Sequence, residues 1–445
     1  MTSTHDAALR FDRPFERSYA HPASKLADKF LHVMIYLCLV TSFFVFVQPA
    51  PYEYLAVLLG FACITARVTF PIVVLPVLVL LLVRDGSGAI SLIQIIDYPD
   101  SVRFLATSFY EGLTAVLFAC IIAQDPMRRI GTVRSAYITA AVLGSTFGAI
   151  GYFDLYFKFI PGLEIFSMND RAVAGFKDPN VLGCFLIPPL LWLIEEFITD
   201  KIRIHKLIAS IIIFIGLLLA FSRAAWGSFA FAIVLLIYFM FVTQHSRRVQ
   251  TRVLFFTVAA VGFGLLIFAM LMSIDVVNQM FLQRATVFEE YDVGHSGSRF
   301  DLQANSIKEI LDHPIGMGPW GFVRIYGLVS HNTYLGTMLN HGWIGGIAYL
   351  TLIILTLTVG FRALWLRTPW QPFLIGVYSS FIAMVLEGVW GDTDHWRHFY
   401  MLLGLVWGLV AATHKTIWTT RTRSNQNSLL SAGVPTFRQR SELRL

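Results

Sequence analysis

Polar side chains able to do chemistry gather in five short stretches of an otherwise apolar chain. Arg171 opens the run Arg171-Ala-Val-Ala-Gly-Phe-Lys-Asp-Pro-Asn180, where Asp178-Pro179-Asn180 can turn the chain into an apolar segment and cap its N-terminus. Ser222-Arg223 falls between two apolar segments that leave almost no loop. Ser298-Arg299 precedes Phe300, Ala304, Ile307 and Leu311, which recur at helical spacing until Pro314, Gly316 and Gly318 end the pattern. His331-Asn332-Thr333-Tyr334, followed by Asn340-His341-Gly342, stands where a long polar stretch gives way to an apolar one. Asp392-Thr393-Asp394-His395-Trp396-Arg397-His398 packs acids, imidazoles and an arginine into a few positions.

Guanidinium groups offer a planar fork suited to phosphate oxygens, and at a helix start such as Arg299 the free N–H groups already favour an anion. An imidazole at the boundary, such as His331, can take a proton from an attacking hydroxyl. Each stretch also has a structural alternative. Arg171 can be a loop arginine beside a helix-entry turn, Arg223 can snorkel to the interface, and Arg299 can pair with Asp301. His331 can be a capping group, and metal binding at 392–398 is conceivable but rarely built from adjacent ligands. Glu111 and Glu387 lie in or near apolar segments, where a charge costs roughly 2.5–3.5 kcal/mol; each can carry function or pair with an arginine such as Arg103. Trp320 and Trp343 can stack on sugars or simply pack.

The elements that must position these residues are membrane spans. The chain is 56% hydrophobic and 14% charged with a mean hydropathy of +0.65, which a water-soluble fold could hardly solvate. Stretches of about 20 mostly apolar residues occur near 30–48, 51–67, 69–84, 103–124, 133–153, 180–198, 206–222, 224–243, 253–273, 333–360, 371–390 and 398–414. The segment 85–102 is ambiguous. The polar stretch through Phe30 lacks the apolar core and cleavage site of a signal peptide, so the first span is expected to be retained. With the N-terminus cytoplasmic, most of the 34 Lys and Arg residues fall on the cytoplasmic side, including Arg128, Arg129, Arg134, Lys201, Arg203, Lys206, Arg247, Arg248 and Arg252. That placement of charge speaks of topology and gives no ground for a nucleic-acid partner.

The expected fold is therefore all-α: a polytopic membrane protein of about 12 spans. A cytoplasmic tail (1–29) precedes a membrane region (30–415), and a second solvated cytoplasmic tail (416–445) follows. Segments 154–179, 274–332 and 391–397 fall together on the non-cytoplasmic side, and the helix after Ser298 is expected to rest on the membrane surface. Cys38, Cys63, Cys120 and Cys184 lie in apolar runs without CxxC spacing and read as buried hydrophobes. No nucleotide-binding glycine loop, HExxH or GxSxG is present.

In order and spacing these stretches resemble the O-antigen ligase and O-antigen polymerase superfamily. The resemblance rests on Arg171 with Gly175-Phe176-Lys177-Asp178-Pro179-Asn180, on Phe221-Ser222-Arg223, on Ser298-Arg299 with His313-Pro314-Ile315-Gly316-Met317-Gly318, and on His331-Asn332-Thr333-Tyr334-Leu335 with His341-Gly342-Trp343-Ile344-Gly345. It covers about 170–350; the compact cluster at 392–398 departs from it. The resemblance implies a bacterial inner-membrane glycosyltransferase with its active site facing the periplasm. Such an enzyme moves a glycan from undecaprenyl diphosphate to a sugar hydroxyl, with inversion and with neither metal nor other cofactor. The acceptor would be lipid A-core for a ligase, or a second lipid-linked glycan for a polymerase of O-antigen or exopolysaccharide. On this reading Arg171, Arg223 and Arg299 grip the diphosphate, and His331 orients or deprotonates the acceptor. Asn332, His341, Asp394, His395 and Arg397 are candidate sugar contacts, and the spans hold the polyprenyl chain in a lateral groove. The competing class is a lipid-linked glycan transporter or flippase without transferase activity, though transporters tend to place polar groups near the midplane.

Overall fold

The computed structural model describes residues 22–431 apart from 48, 159, 161, 244–245 and 285–297. Its helices are α1 (Pro22–Val40), α2 (Pro51–Thr65), α3 (Leu75–Leu92), α4 (Pro99–Gln124), α5 (Pro126–Phe157), α6 (Pro179–Thr199), α7 (Ile204–Leu219), α8 (Arg223–Thr243), α9 (Arg247–Met272), α10 (Asp275–Arg284), α11 (Arg299–Asp312), α12 (Gly321–Tyr326), α13 (Thr333–Leu364), α14 (Gln371–Glu387) and α15 (Arg397–Ser431). α1, α2, α4, α5 and α6 each open on a proline, whose missing N–H would be unpaired there in any residue.

Among the described residues nine helices are long and apolar enough to cross a membrane, and α2, α7 and α14 are shorter apolar helices. These nine and three fall on the twelve stretches read from hydropathy, so the polytopic all-α class holds. Several boundaries move. The ambiguous segment after Arg84 is the continuation of α3, a 3-10 turn over Ile93–Ile95 and the entry to α4. The first helix starts at Pro22, inside the expected tail, and α15 carries the expected C-terminal tail on as helix to Ser431. Residues 1–21 and 432–445 lie outside the described part.

Close helix contact is built on small residues, as expected where apolar lipid gives helices no solvent-driven reason to associate. Gly404 and Gly408 of α15 lie on the backbone of Ala115 and Ala119 in α4; a Cβ at Gly408 would stand 2.7 Å from the Ala119 carbonyl oxygen. Gly183 of α6 faces Ala225 and Ser222 at the start of α8 in the same way, 2.6 Å from the Ala225 Cβ. One large apolar core joins the spans, and Cys38, Cys63, Cys120 and Cys184 are buried and unpaired. A second small core of Leu302, Ile310, Met317, Phe322 and Leu339 joins α11, α12 and the first turns of α13.

Among the described residues the all-α description has one exception. β1 (Ser167–Met168) and β2 (Arg171–Ala172) form an antiparallel hairpin closed by Asn169 and Asp170, both at positive φ (51° and 56°). Two central residues at positive φ are the type I′ geometry that suits strand twist, and Asn and Asp tolerate it best after glycine.

Candidate functional site

Hydrogen bonds and close packing tie the loops at one end of the bundle to each other. The Val45 amide donates to Gly175 O (2.8 Å), which fastens the α1–α2 loop to the hairpin segment. Gly175 is required there, because a Cβ would overlap the Phe43 carbonyl. Arg171, buried, donates from Nε to Ala220 O (2.8 Å) and from a terminal nitrogen to Asn180 Oδ1 (2.8 Å). Asp178 accepts from the Asn180 amide (2.7 Å), the expected cap of α6. Arg171 therefore braces the α7–α8 corner two residues before Ser222-Arg223. At that corner Phe221 takes positive φ (45°) and buried Ser222 faces the Ala225 amide (3.3 Å). This contact sets Arg223, half-buried, at the first position of α8.

From α8 the connection passes to the loop between α14 and α15. Ser228 donates to Glu387 Oε2 (2.9 Å), and Glu387 ends α14. The charges of Arg299 and Asp178 both act on Glu387 and on Asp392. Ser298 takes the position before α11, as expected, although its side chain makes no capping bond. The α11 helix leans on the His331 segment, where Gln303 Nε2 donates to His331 O (3.4 Å).

His331 has positive φ (50°), and Asn332 behind it caps α13 by accepting from the Tyr334 (3.0 Å) and Leu335 (3.1 Å) amides. The same segment is locked onto 388–393. The Thr333 amide donates to Gly388 O (2.8 Å), the Thr333 hydroxyl to Gly391 O (2.8 Å), and Asn332 Nδ2 to Val389 O (3.2 Å). His331 Nδ1 consequently lies 3.9 Å from Asp392 Oδ2. Asp392 keeps 32% of its side chain exposed, yet its surroundings exclude enough water that burial, helped by the Asp394 charge, pushes its carboxyl up to about 7 against the pull of His395 and Arg299.

Of the candidate sugar contacts, Asn332 is spent on the cap just described. His395 faces Ser108 Oγ (3.0 Å) and Phe104 O (3.2 Å) on α4, with Asp394 Oδ2 3.6 Å from its Nδ1. Burial works against both charges, but each supports the other: the His395 imidazole is held above its ordinary value and the Asp394 carboxyl below its own. Arg397 is buried, paired with Glu53 of α2 and stacked over the Tyr52 ring at 4.8 Å. His341 is buried beside Gly88 of α3 and precedes Gly342, whose backbone (φ 67°, ψ −176°) breaks α13. Into that break fits the Pro314–Gly318 segment: the Trp343 amide donates to Pro314 O (2.9 Å) and the Met317 amide to Leu339 O (2.8 Å). The Trp343 indole donates to Ile310 O (2.8 Å), a packing role, and Trp320 sets its edge against Phe104. Arg103 pairs with Asp100 on an exposed face, so the expected pairing with Glu111 is not made; Glu111 lies buried beside the Tyr110 hydroxyl (3.4 Å) instead.

Two partners went unread in the sequence. Arg84, buried in α3, pairs with Asp85 (2.7 Å) and donates to Tyr400 OH (2.5 Å) and Ser108 O (3.1 Å), while Tyr400 donates to Asp394 O (2.8 Å). Glu53 caps α2 and holds Arg397. Arg84 and Asp85 close a long apolar run, and two charges in such a place call for partners.

Residues 208–350, which include Arg223, Arg299, His331 and His341, match the family described as O-antigen ligase. No curated protein matches the chain.

Proposed function

We propose, from the match of residues 208–350 to the O-antigen ligase family, that the chain transfers a glycan from a polyprenyl diphosphate to a sugar hydroxyl at the periplasmic face of the bacterial inner membrane. The observation that carries this reading is the convergence of the Arg171, Arg223, Arg299 and His331 segments at one end of the bundle, joined through Ala220, Glu387 and the 388–393 loop.

In the proposed step the acceptor oxygen attacks the anomeric carbon from the face opposite the diphosphate. The bond from that carbon to the diphosphate oxygen breaks, and the leaving group departs with the electron pair. Arg223 and Arg299 are the groups proposed to meet its growing charge, with Arg171 holding the corner that presents Arg223. The acceptor proton passes to His331, which Asp392 orients as an ionised partner. Positive guanidinium groups here do the work that a metal ion does elsewhere, so transfer is expected to persist in a chelator.

Reconstitution with a defined undecaprenyl-diphosphate glycan tests the reading. Product on lipid A-core identifies a ligase, and product on a second lipid-linked repeat identifies a polymerase. Movement of the donor across the bilayer without any product would replace both with a transporter.

A further inference from the structure

Arg84 lies in α3, a helix long and apolar enough to cross a membrane, and is only 2% exposed. Asp85 beside it (2.7 Å) already balances its charge, which accounts for how the two survive there. Pairing does not account for the other two nitrogens of the guanidinium, which reach Tyr400 OH on α15 (2.5 Å) and Ser108 O on α4 (3.1 Å). From these partners the bonds close into a ring. Tyr400 donates to Asp394 O (2.8 Å), the next residue His395 sets Nε2 3.0 Å from Ser108 Oγ, and Ser108 O returns the path to Arg84. The helices that carry the ring are held at close spacing by glycine. Gly404, one turn along α15 from Tyr400, lies on the Ala115 backbone of α4, and Gly345 of α13 lies against Arg84 O.

The transfer step proposed above does not use this ring, but Asp392 stands directly beside it. On one side of Asp392 both neighbours are bonded to Thr333: its hydroxyl donates to Gly391 O (2.8 Å) and accepts from the Thr393 amide (2.6 Å). On the other side the chain enters the ring at Asp394. The first anchor ties Asp392 to the helix that follows His331, and the second ties it to α3, α4 and α15. We propose that the ring is a positioning device for transfer, holding residues 392–395 so that the Asp392 carboxylate meets the His331 imidazole 3.9 Å away. Arg84, Tyr400, Ser108 and His395 act through Asp392 and touch no substrate. Asp394 and His395, candidate sugar contacts by resemblance, are on this reading spent on the ring. The inference rests on the transferase reading above and on Asp392 as the partner of His331.

A double-mutant cycle tests it, with purified protein and a defined undecaprenyl-diphosphate glycan at a pH well above the Asp392 value of about 7. Tyr400→Phe removes one link and keeps the ring shape; kcat is expected to fall about tenfold with donor KM unchanged. In the Asp392→Asn background the same change should cost nothing further, because the carboxylate it positions is gone. Ser108→Ala cuts the ring at its other side and should behave alike, so the cycle closes through either variant. Tyr378→Phe removes another buried tyrosine hydroxyl, one bonded to Leu357 O (2.8 Å), and as the control should leave kcat unchanged. Asp392 faces His331, Asp394, His395, Asp178 and Arg299. His395→Gln keeps a donor for Phe104 O but loses a positive charge that, with Arg299, opposes the raising effects of burial, Asp394 and Asp178. The rising limb of the pH profile should therefore move to higher pH in that variant. Losses that multiply in the double variants, or a limb unmoved in His395→Gln, mark a ring that only holds helices together and overturn the proposal while leaving the transferase reading intact. Absence of transfer by the wild-type protein overturns the transferase reading itself.

Discussion

A guanidinium and an ammonium carry the same charge, but only the first offers two parallel donors to neighbouring phosphate oxygens. Arg223→Lys therefore keeps the charge at the start of α8 and loses the fork. Transfer is expected to fall on the order of 10²-fold with normal membrane insertion, measured with purified protein and a lipid-linked donor; near-wild-type transfer would remove Arg223 from the diphosphate site. His331 and Asp392 make a separate prediction about proton handling. With its carboxyl at about 7, Asp392 is ionised, and able to hold the His331 imidazole, only above that pH. Transfer should rise as pH passes upward through about 7, and Asp392→Asn should lose that limb of the profile as well as rate. A profile unchanged in the variant would show that the carboxyl does not orient the base. The arginines and histidines at span ends were legible in the sequence because charge is scarce there. Asp392 was legible as one of several acids, but its link to His331 depends on Thr333 and Asn332 grasping the 388–391 backbone across more than fifty positions of chain, which no local pattern encodes.

Hydropathy marks where a helix crosses and says little about where it breaks. The stretch Thr333–Leu364 is apolar on both sides of Gly342, so it reads as one span, whereas the structure interrupts it and fills the gap with Pro314–Gly318. Glycine is needed at 342 for two reasons: its φ of 67° is unfavourable for other residues, and a Cβ would stand 2.5 Å from the Ile315 carbonyl. Gly342→Ala should cost about 1–3 kcal/mol, lower the thermal stability of the protein in detergent and depress transfer, because the break sets α11 and with it Arg299. Gly131→Ala, on α5 with open space around the new methyl, is the matched control and should leave both unchanged or slightly improved. Equal stability of the two variants would mean that α13 tolerates a different course at 342. The α11 helix itself was legible from Ser298, the apolar spacing and Pro314. The hairpin at 167–172 was not, because two-residue strands leave no periodicity and only the Asn169-Asp170 turn hints at it.

Across the whole molecule charge gathers at both ends of the bundle. At one end basic residues from successive loops are neutralised locally: Arg128 and Arg129 close on Asp28, Arg134 on Glu195, and Lys206 on Glu196. At the other, Arg223 and Arg299 stand at helix starts around Glu387 and Asp392. If α7, α8 and α9 each cross once, the loop at 200–203 and the α11 helix fall on opposite sides of the membrane. The excess of Lys and Arg at the first end is the ground on which that end is proposed as the cytoplasmic one, since such residues resist translocation. The native cysteines, all buried, leave the surface clear for a labelling test of that orientation. In spheroplasts Lys308→Cys, on the exposed side of α11, should react with a membrane-impermeant maleimide added outside, whereas Lys201→Cys should react only after permeabilisation. The reverse pattern would turn the arginine-bearing end toward the cytoplasm, where a donor already carried across the membrane could not reach it, and the periplasmic transfer reading would fall with the orientation.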